Sequence, residues 1–146
     1  MKISPSNTEQ GYILRRLIRR IIRLFKKADM NTNYLCELSD VIIQQYKATY
    51  PELEDNREFI LEQLQKEYTL FSKTLDDGLK KANKYLDTIS QDEVLSGELA
   101  FKLYDTYGFP LELTVEIAEE SGYSVDEEGF KSKFKEIFGV EFDYAN

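Results

Sequence analysis

A chain of 146 residues, 42% apolar and 32% charged, is long enough to bury a core and too apolar to stay disordered. It has no histidine, which excludes Ser-His-Asp and Cys-His nucleophilic catalysis, imidazole acid–base chemistry and His-based zinc sites within it. The lone Cys36 excludes an internal disulfide, and the net charge of −8 argues against indiscriminate binding to polyanions.

The charge is unevenly divided. Residues 1–30 carry Lys2, Arg15, Arg16, Arg19, Arg20, Arg23, Lys26 and Lys27 against only Glu9 and Asp29, and the remainder is strongly acidic. A local basic face on an acidic body can bind one polyanion selectively. No apolar run approaches the roughly 20 residues of a membrane-spanning helix, so no membrane partner is expected. Nothing points to an oxidising compartment.

The helical period dominates and no run alternates as a strand does. From about Glu9 to Ala28, Leu14, Leu17, Ile18, Ile21 and Phe25 fall on one face, with the arginines and lysines on the opposite arc, which predicts an amphipathic helix with a cationic outer surface. Asp29–Asn33 reads as a turn. A second helix is expected over Asn33–Ala48, with Leu35, Leu38, Val41, Ile42, Gln45 and Tyr46 marking its buried side. Pro51 breaks the pattern.

A long helix follows from about Asp55 to Asp87, with Phe59 or Ile60, Leu64, Tyr68, Phe71, Leu75, Leu79, Ala82 and Leu86 on its inner face and Gly78 as a candidate bend. Ser90–Glu93 is a polar link. Ser96 or Gly97 starts the next helix, which ends at Tyr107-Gly108 because Gly108 accepts the left-handed conformation and Pro110 cannot continue. One short helix is expected over Leu111–Ser121, stopping at Gly122. Another starts with the capping-box pattern Ser124-Val125-Asp126-Glu127 and buries Phe130, Phe134 and Phe138. Residues 139–146 read as a loosely held tail. The fold class is all-α: a multi-helix, bundle-like domain with a basic amphipathic first helix, a long central helix and short C-terminal helices.

Three features could carry function. The arginine face suits phosphate, because planar guanidinium forks donate paired hydrogen bonds. It equally suits ion pairing with the acidic remainder, or a membrane-surface or targeting helix. Ser6 and Asn7 precede the first helix, where such residues commonly cap. Asp105 sits near the C-terminal end of a helix, where the dipole disfavours an acid. It is either a salt-bridged structural residue or an acceptor awaiting an external donor. Cys36 reads as a core residue, and Asp76-Asp77, Glu119-Glu120 and Glu127-Glu128 as solvated charge.

Pro5-Ser6-Asn7, Gly11-Tyr12-Ile13-Leu14-Arg15-Arg16 and, far downstream, Ala100-Phe101-Lys102-Leu103-Tyr104-Asp105-Thr106-Tyr107-Gly108-Phe109-Pro110 together resemble alanyl-tRNA synthetase, in the helical region that follows its class II catalytic domain. Gly97-Glu98 leads into the last run as in that family. The resemblance implies a tRNA(Ala) acceptor-stem recognition domain over residues 1–138, divisible into lobes 1–90 and 91–138, with a tail over 139–146. It implies that Asn7 and Asp105 read a G·U wobble pair, whose unpartnered guanine 2-amino group faces the shallow minor groove of A-form RNA. It further implies that Arg15, Arg16, Arg19, Arg20 and Arg23 hold the tRNA backbone.

The parent enzyme would join alanine to tRNA with ATP and Mg²⁺ in the cytoplasm. This segment is expected to contribute binding, with no catalytic centre or cofactor of its own, beside the catalytic domain of a longer chain. Three departures stand out. Gln10 replaces a usual arginine, the tail from about Phe134 diverges, and the catalytic and editing domains are missing, as in an excised fragment or a shortened relative. The alternative is a helical protein-interaction module without RNA function.

Overall fold

A computed structural model describes residues 2–31, 34–90 and 93–143. In chain order it contains α1 (Glu9–Lys27), α2 (Tyr34–Tyr46), α3 (Glu52–Asp55), α4 (Arg57–Asp87), β1 (Val94–Leu95), α5 (Gly97–Tyr107), α6 (Leu111–Glu120), β2 (Ser124–Val125) and α7 (Glu127–Phe138). The all-α expectation holds, with one addition. Val94 pairs with Ser124 and Leu95 with Val125 in a parallel two-residue bridge, too short to give any period-2 signal.

The long helix α4 is the spine. Its stripe Phe71, Leu75, Ala82 and Leu86 is buried as predicted, and it meets Ile18 and Ile22 of α1, Leu35 of α2, and Leu103, Phe109, Leu113 and Ile117 from α5, α6 and the turn between them. A bend at Gly78 is not needed to explain that residue, since α4 runs through it unbroken. A Cβ there would run into the Phe109 ring, so glycine is required for close approach. A second, aromatic cluster joins Tyr12 of α1 to Phe101 and Tyr104 of α5 and to Phe130 and Phe134 of α7.

The helix ends follow local chemistry. Ser96 Oγ accepts from the Leu99 N–H at the start of α5, and Gly108 takes the left-handed conformation (φ 68°) at its end. Four expectations need correction.

First, α7 begins at Glu127, capped by Asp126 through the Gly129 N–H at 2.9 Å, because Ser124 is drawn into the β-bridge. Phe138, in the last turn of α7, is 48% exposed. Second, the tail is anchored at Phe142, which is 9% exposed and lies edge-on to Phe130 and Phe134 with ring centroids 5.0 Å away.

Third, α2 buries Leu35 and Ile43 and turns Leu38, Val41, Ile42 and Tyr46 outward, since among the described residues it packs mainly against α4 and the short α3. Asn33, assigned to that helix, lies outside the described residues, as do Gln91 and Asp92 of the polar link. Fourth, α1 is rotated from its predicted seating: Ile18, Ile22, Arg19 and Arg23 are buried, while Leu17 and Ile21 are exposed. The apolar stripe of α1 does not decide its seating alone. Carboxylates on α4 and α6 draw the arginines inward.

Candidate nucleic-acid interface

The segment before α1 doubles back over its first turn. The Ser6 N–H donates to the Gly11 carbonyl at 3.0 Å, and a Cβ on Gly11 would collide with Ser6, so only glycine admits this path. Asn7 therefore does not cap α1; Thr8 occupies the cap position, without a side-chain bond. Instead the exposed Asn7 offers Oδ1 to Arg15 Nη1 at 2.7 Å. Arg15 also donates from Nη2 to the Pro5 carbonyl at 3.3 Å and from Nε to Glu67 Oε1 at 2.9 Å.

Glu67 is the organiser. Only 3% exposed, it accepts from Arg15 and also from Arg19 Nε at 2.6 Å, so one carboxylate compensates two guanidiniums beside the core. Burial lowers the Arg19 pKa and the Glu67 charge opposes that. Arg19 Nη1 also donates to the Gly108 carbonyl, and its guanidinium carbon lies 4.9 Å from the Phe71 ring centroid. Arg19 thus ties the centre of α1 to the C-terminal cap of α5.

The remaining cations of α1 form a ladder. Arg16 pairs with Glu112 at 2.9 Å, Arg20 with Glu116 at 3.4 Å, Arg23 with both oxygens of Glu120, and Lys27 with Glu120 at 3.3 Å. Lys26 pairs with Asp76 of α4. The fork of Arg23 holds the Glu120 carboxyl below its ordinary range. Glu112, also accepting from the Tyr12 hydroxyl at 2.9 Å, joins burial in pushing that phenol up, burial being the larger cause. The intramolecular-pairing alternative is therefore realised at every cation of α1. Of the five arginines singled out, Arg20 is the most open, with a side chain 60% exposed.

Asp105 stands apart from this pairing. It is exposed near the C-terminal end of α5, between the buried Tyr104 and the left-handed Gly108, and makes no hydrogen bond or ion pair with any described residue. Leu103 and Tyr104 beside it are buried, and burial raises the Tyr104 pKa. The structure thus offers an oriented carboxamide at Asn7, held by Arg15, and a carboxylate at Asp105 without a partner among the described residues, while Arg19 links α1 to α4 and α5.

Glu67 was missed in the sequence. Its signal was its position, three residues after Leu64 and four before Phe71 on the inward stripe of α4. Among the described residues no three His, Cys, Asp or Glu side chains converge to hold a metal ion. No described helix is long and apolar enough to cross a membrane.

The sequence pattern of class II (A) tRNA synthetases matches residues 2–137. The chain belongs to that family. Within the class II (A) synthetases it is similar to alanine–tRNA ligase 1 of Lachnoclostridium phytofermentans, with 49% identity over 131 residues that cover 88% of this chain and 15% of the relative. The alanine–tRNA ligase of Acetivibrio thermocellus is 43% identical over 92% of this chain and 16% of its own length. That of Borrelia hermsii is 44% identical over 91% of this chain and 22% of its own. The resemblance to alanyl-tRNA synthetase therefore holds across most of the chain, which spans 15% to 22% of the length of these relatives.

Proposed function

We propose that this chain is a segment of an alanyl-tRNA synthetase that holds the acceptor stem of tRNA(Ala) and reads its G·U wobble pair. The observation that carries the reading is Asp105, an exposed carboxylate without a partner among the described residues in a chain whose basic first helix is fully paired. A guanine 2-amino group supplies the missing donor. Asn7 presents a second acceptor, since its carboxamide oxygen keeps one lone pair after receiving Arg15.

Residues 1–138 act as one recognition unit in this reading. Arg15, Arg19 and Arg23 serve by positioning the scaffold, and the more exposed Arg16 and Arg20 contact the backbone. In the whole enzyme, a catalytic domain beside this segment joins alanine to the tRNA in the cytoplasm, with ATP and Mg²⁺ bound elsewhere.

The test is binding of two acceptor-stem hairpins, one with G·U and one with G·C. Asp105→Ala is expected to remove about 1–3 kcal/mol of discrimination while leaving G·C binding nearly unchanged. Equal losses on both stems would sink the role of Asp105.

A second reading, a protein-interaction module, draws on one observation: the outer face of α2, with Leu38, Val41 and Ile42 all exposed. A salt-insensitive protein complex together with no binding to either hairpin would favour it.

A further inference from the structure

While every cation of α1 is engaged with a carboxylate, a group of cations without ion pairs among the described residues lies elsewhere, on the C-terminal half of α4. Lys73, Lys80 and Lys84 are exposed and form no ion pair with any described residue. Lys81 is half-buried, its Nζ 5.3 Å from the Tyr85 ring centroid. Lys80, Lys81 and Lys84 line a surface depression together with Tyr107 of α5 and a single carboxylate, Asp77.

This half of α4 is pinned to the end of α5. Thr74 Oγ1 donates to the Tyr107 carbonyl at 2.9 Å, and Gly78 admits the Phe109 ring. Tyr107 is two residues from Asp105. Lys102, exposed and likewise without an ion pair among the described residues, stands one turn before Asp105 on the same helix. On a chain of net charge −8, three ammonium groups facing one acid make a local positive edge against the last turn of α5, the helix that carries Asp105.

We propose that this lysine stripe is a phosphate-contacting surface, in which Lys80 and Lys84, with Lys102, hold the RNA backbone flanking the base edge that Asp105 reads. The inference rests on the acceptor-stem reading above and changes where the grip comes from. An ammonium on a flexible stem suits a backbone that needs only to be held, and being exposed it gives up little hydration beforehand. Arg15, Arg19 and Arg23 would first have to leave the carboxylates that hold them, and Arg16 and Arg20 share their charge with Glu112 and Glu116.

The experiment is a salt series of hairpin binding for the chain and for Lys80→Gln/Lys84→Gln, with lysine acetylation footprinting as a second readout. The double variant is expected to bind both hairpins about tenfold more weakly at low salt, with a log–log salt slope shallower by roughly 1.5–2 and an unchanged G·U preference. The hairpin is expected to shield Lys80 and Lys84 from acetylation but not Lys135 on α7. Selective G·U binding with an unaltered slope and unprotected lysines would overturn the stripe alone. Failure of the unaltered chain to bind either hairpin would overturn the acceptor-stem reading and this inference with it.

Discussion

Arg15 donates to the side-chain oxygen of Asn7 at 2.7 Å, so an arginine expected to hold phosphate sets the direction of an asparagine expected to read a base. The first prediction follows from that pairing. Arg15→Ala should reduce the G·U preference as Asn7→Ala does, and the double variant should lose no more than Asn7→Ala alone. A double-mutant cycle on the two hairpins reads the coupling. Additive losses would mean that Arg15 contacts RNA by itself.

Glu67 compensates two buried or half-buried guanidiniums, and removing it strands both. Glu67→Ala is expected to destabilise the fold by about 3–5 kcal/mol in urea denaturation. A loss under about 1 kcal/mol would mean that the arginines find water or other acceptors.

Gly78→Ala should have the sign opposite to helix propensity. In an exposed helix the change stabilises by about 1 kcal/mol. Here the new methyl meets the Phe109 ring, so a loss of about 1–3 kcal/mol is expected. Thermal denaturation decides the sign.

The acid limb of stability should depend on Glu120. Arg23 holds its folded-state pKa below the ordinary 4.5, so the unfolded chain binds more protons as pH falls. The contribution is complete above about pH 4.5 and is lost as pH drops through the folded value. Glu120→Gln should therefore flatten the decline of the melting temperature below that pH. An unchanged acid limb would mean that solvent screens this half-open pair.

Phe142→Ala should cost about 3–5 kcal/mol, an effect that a loosely held tail would not produce. Denaturant midpoints of the variant and the parent chain check it.

Helix content, the α4 stripe and the end of α5 at Gly108 were legible because each rests on local chemistry: periodicity, a capping serine, a left-handed glycine. The seating of α1 was not. Its sequence presents an apolar arc and a basic arc, and which of them turns inward depends on Glu67, Glu112, Glu116 and Glu120, all distant in sequence. The outward face of α2 was misread for a related reason, since periodicity marks an apolar face without saying what covers it. Asp105 was legible as an anomaly, an acid where the helix dipole opposes one, and it does lack a partner among the described residues. Asn7 was legible as a polar residue before a helix, but its bond to Arg15 was not.

The Tyr12 and Phe142 rings meet edge to face at 5.7 Å, although they lie near opposite ends of the chain. Closing so long a loop costs about 1 kcal/mol more entropy than nearer contacts such as those among Phe101, Tyr104 and Phe130. The contact is therefore expected to form after α5 and α7 have built the surface that receives it, which φ-values near zero for Tyr12→Phe and Phe142→Leu in folding kinetics would check. Weakening it should then accelerate unfolding and leave the folding rate almost untouched. On that expectation the clasp between Tyr12 and Phe142 bears on how long the folded state lasts, and the local helices on how fast it is reached.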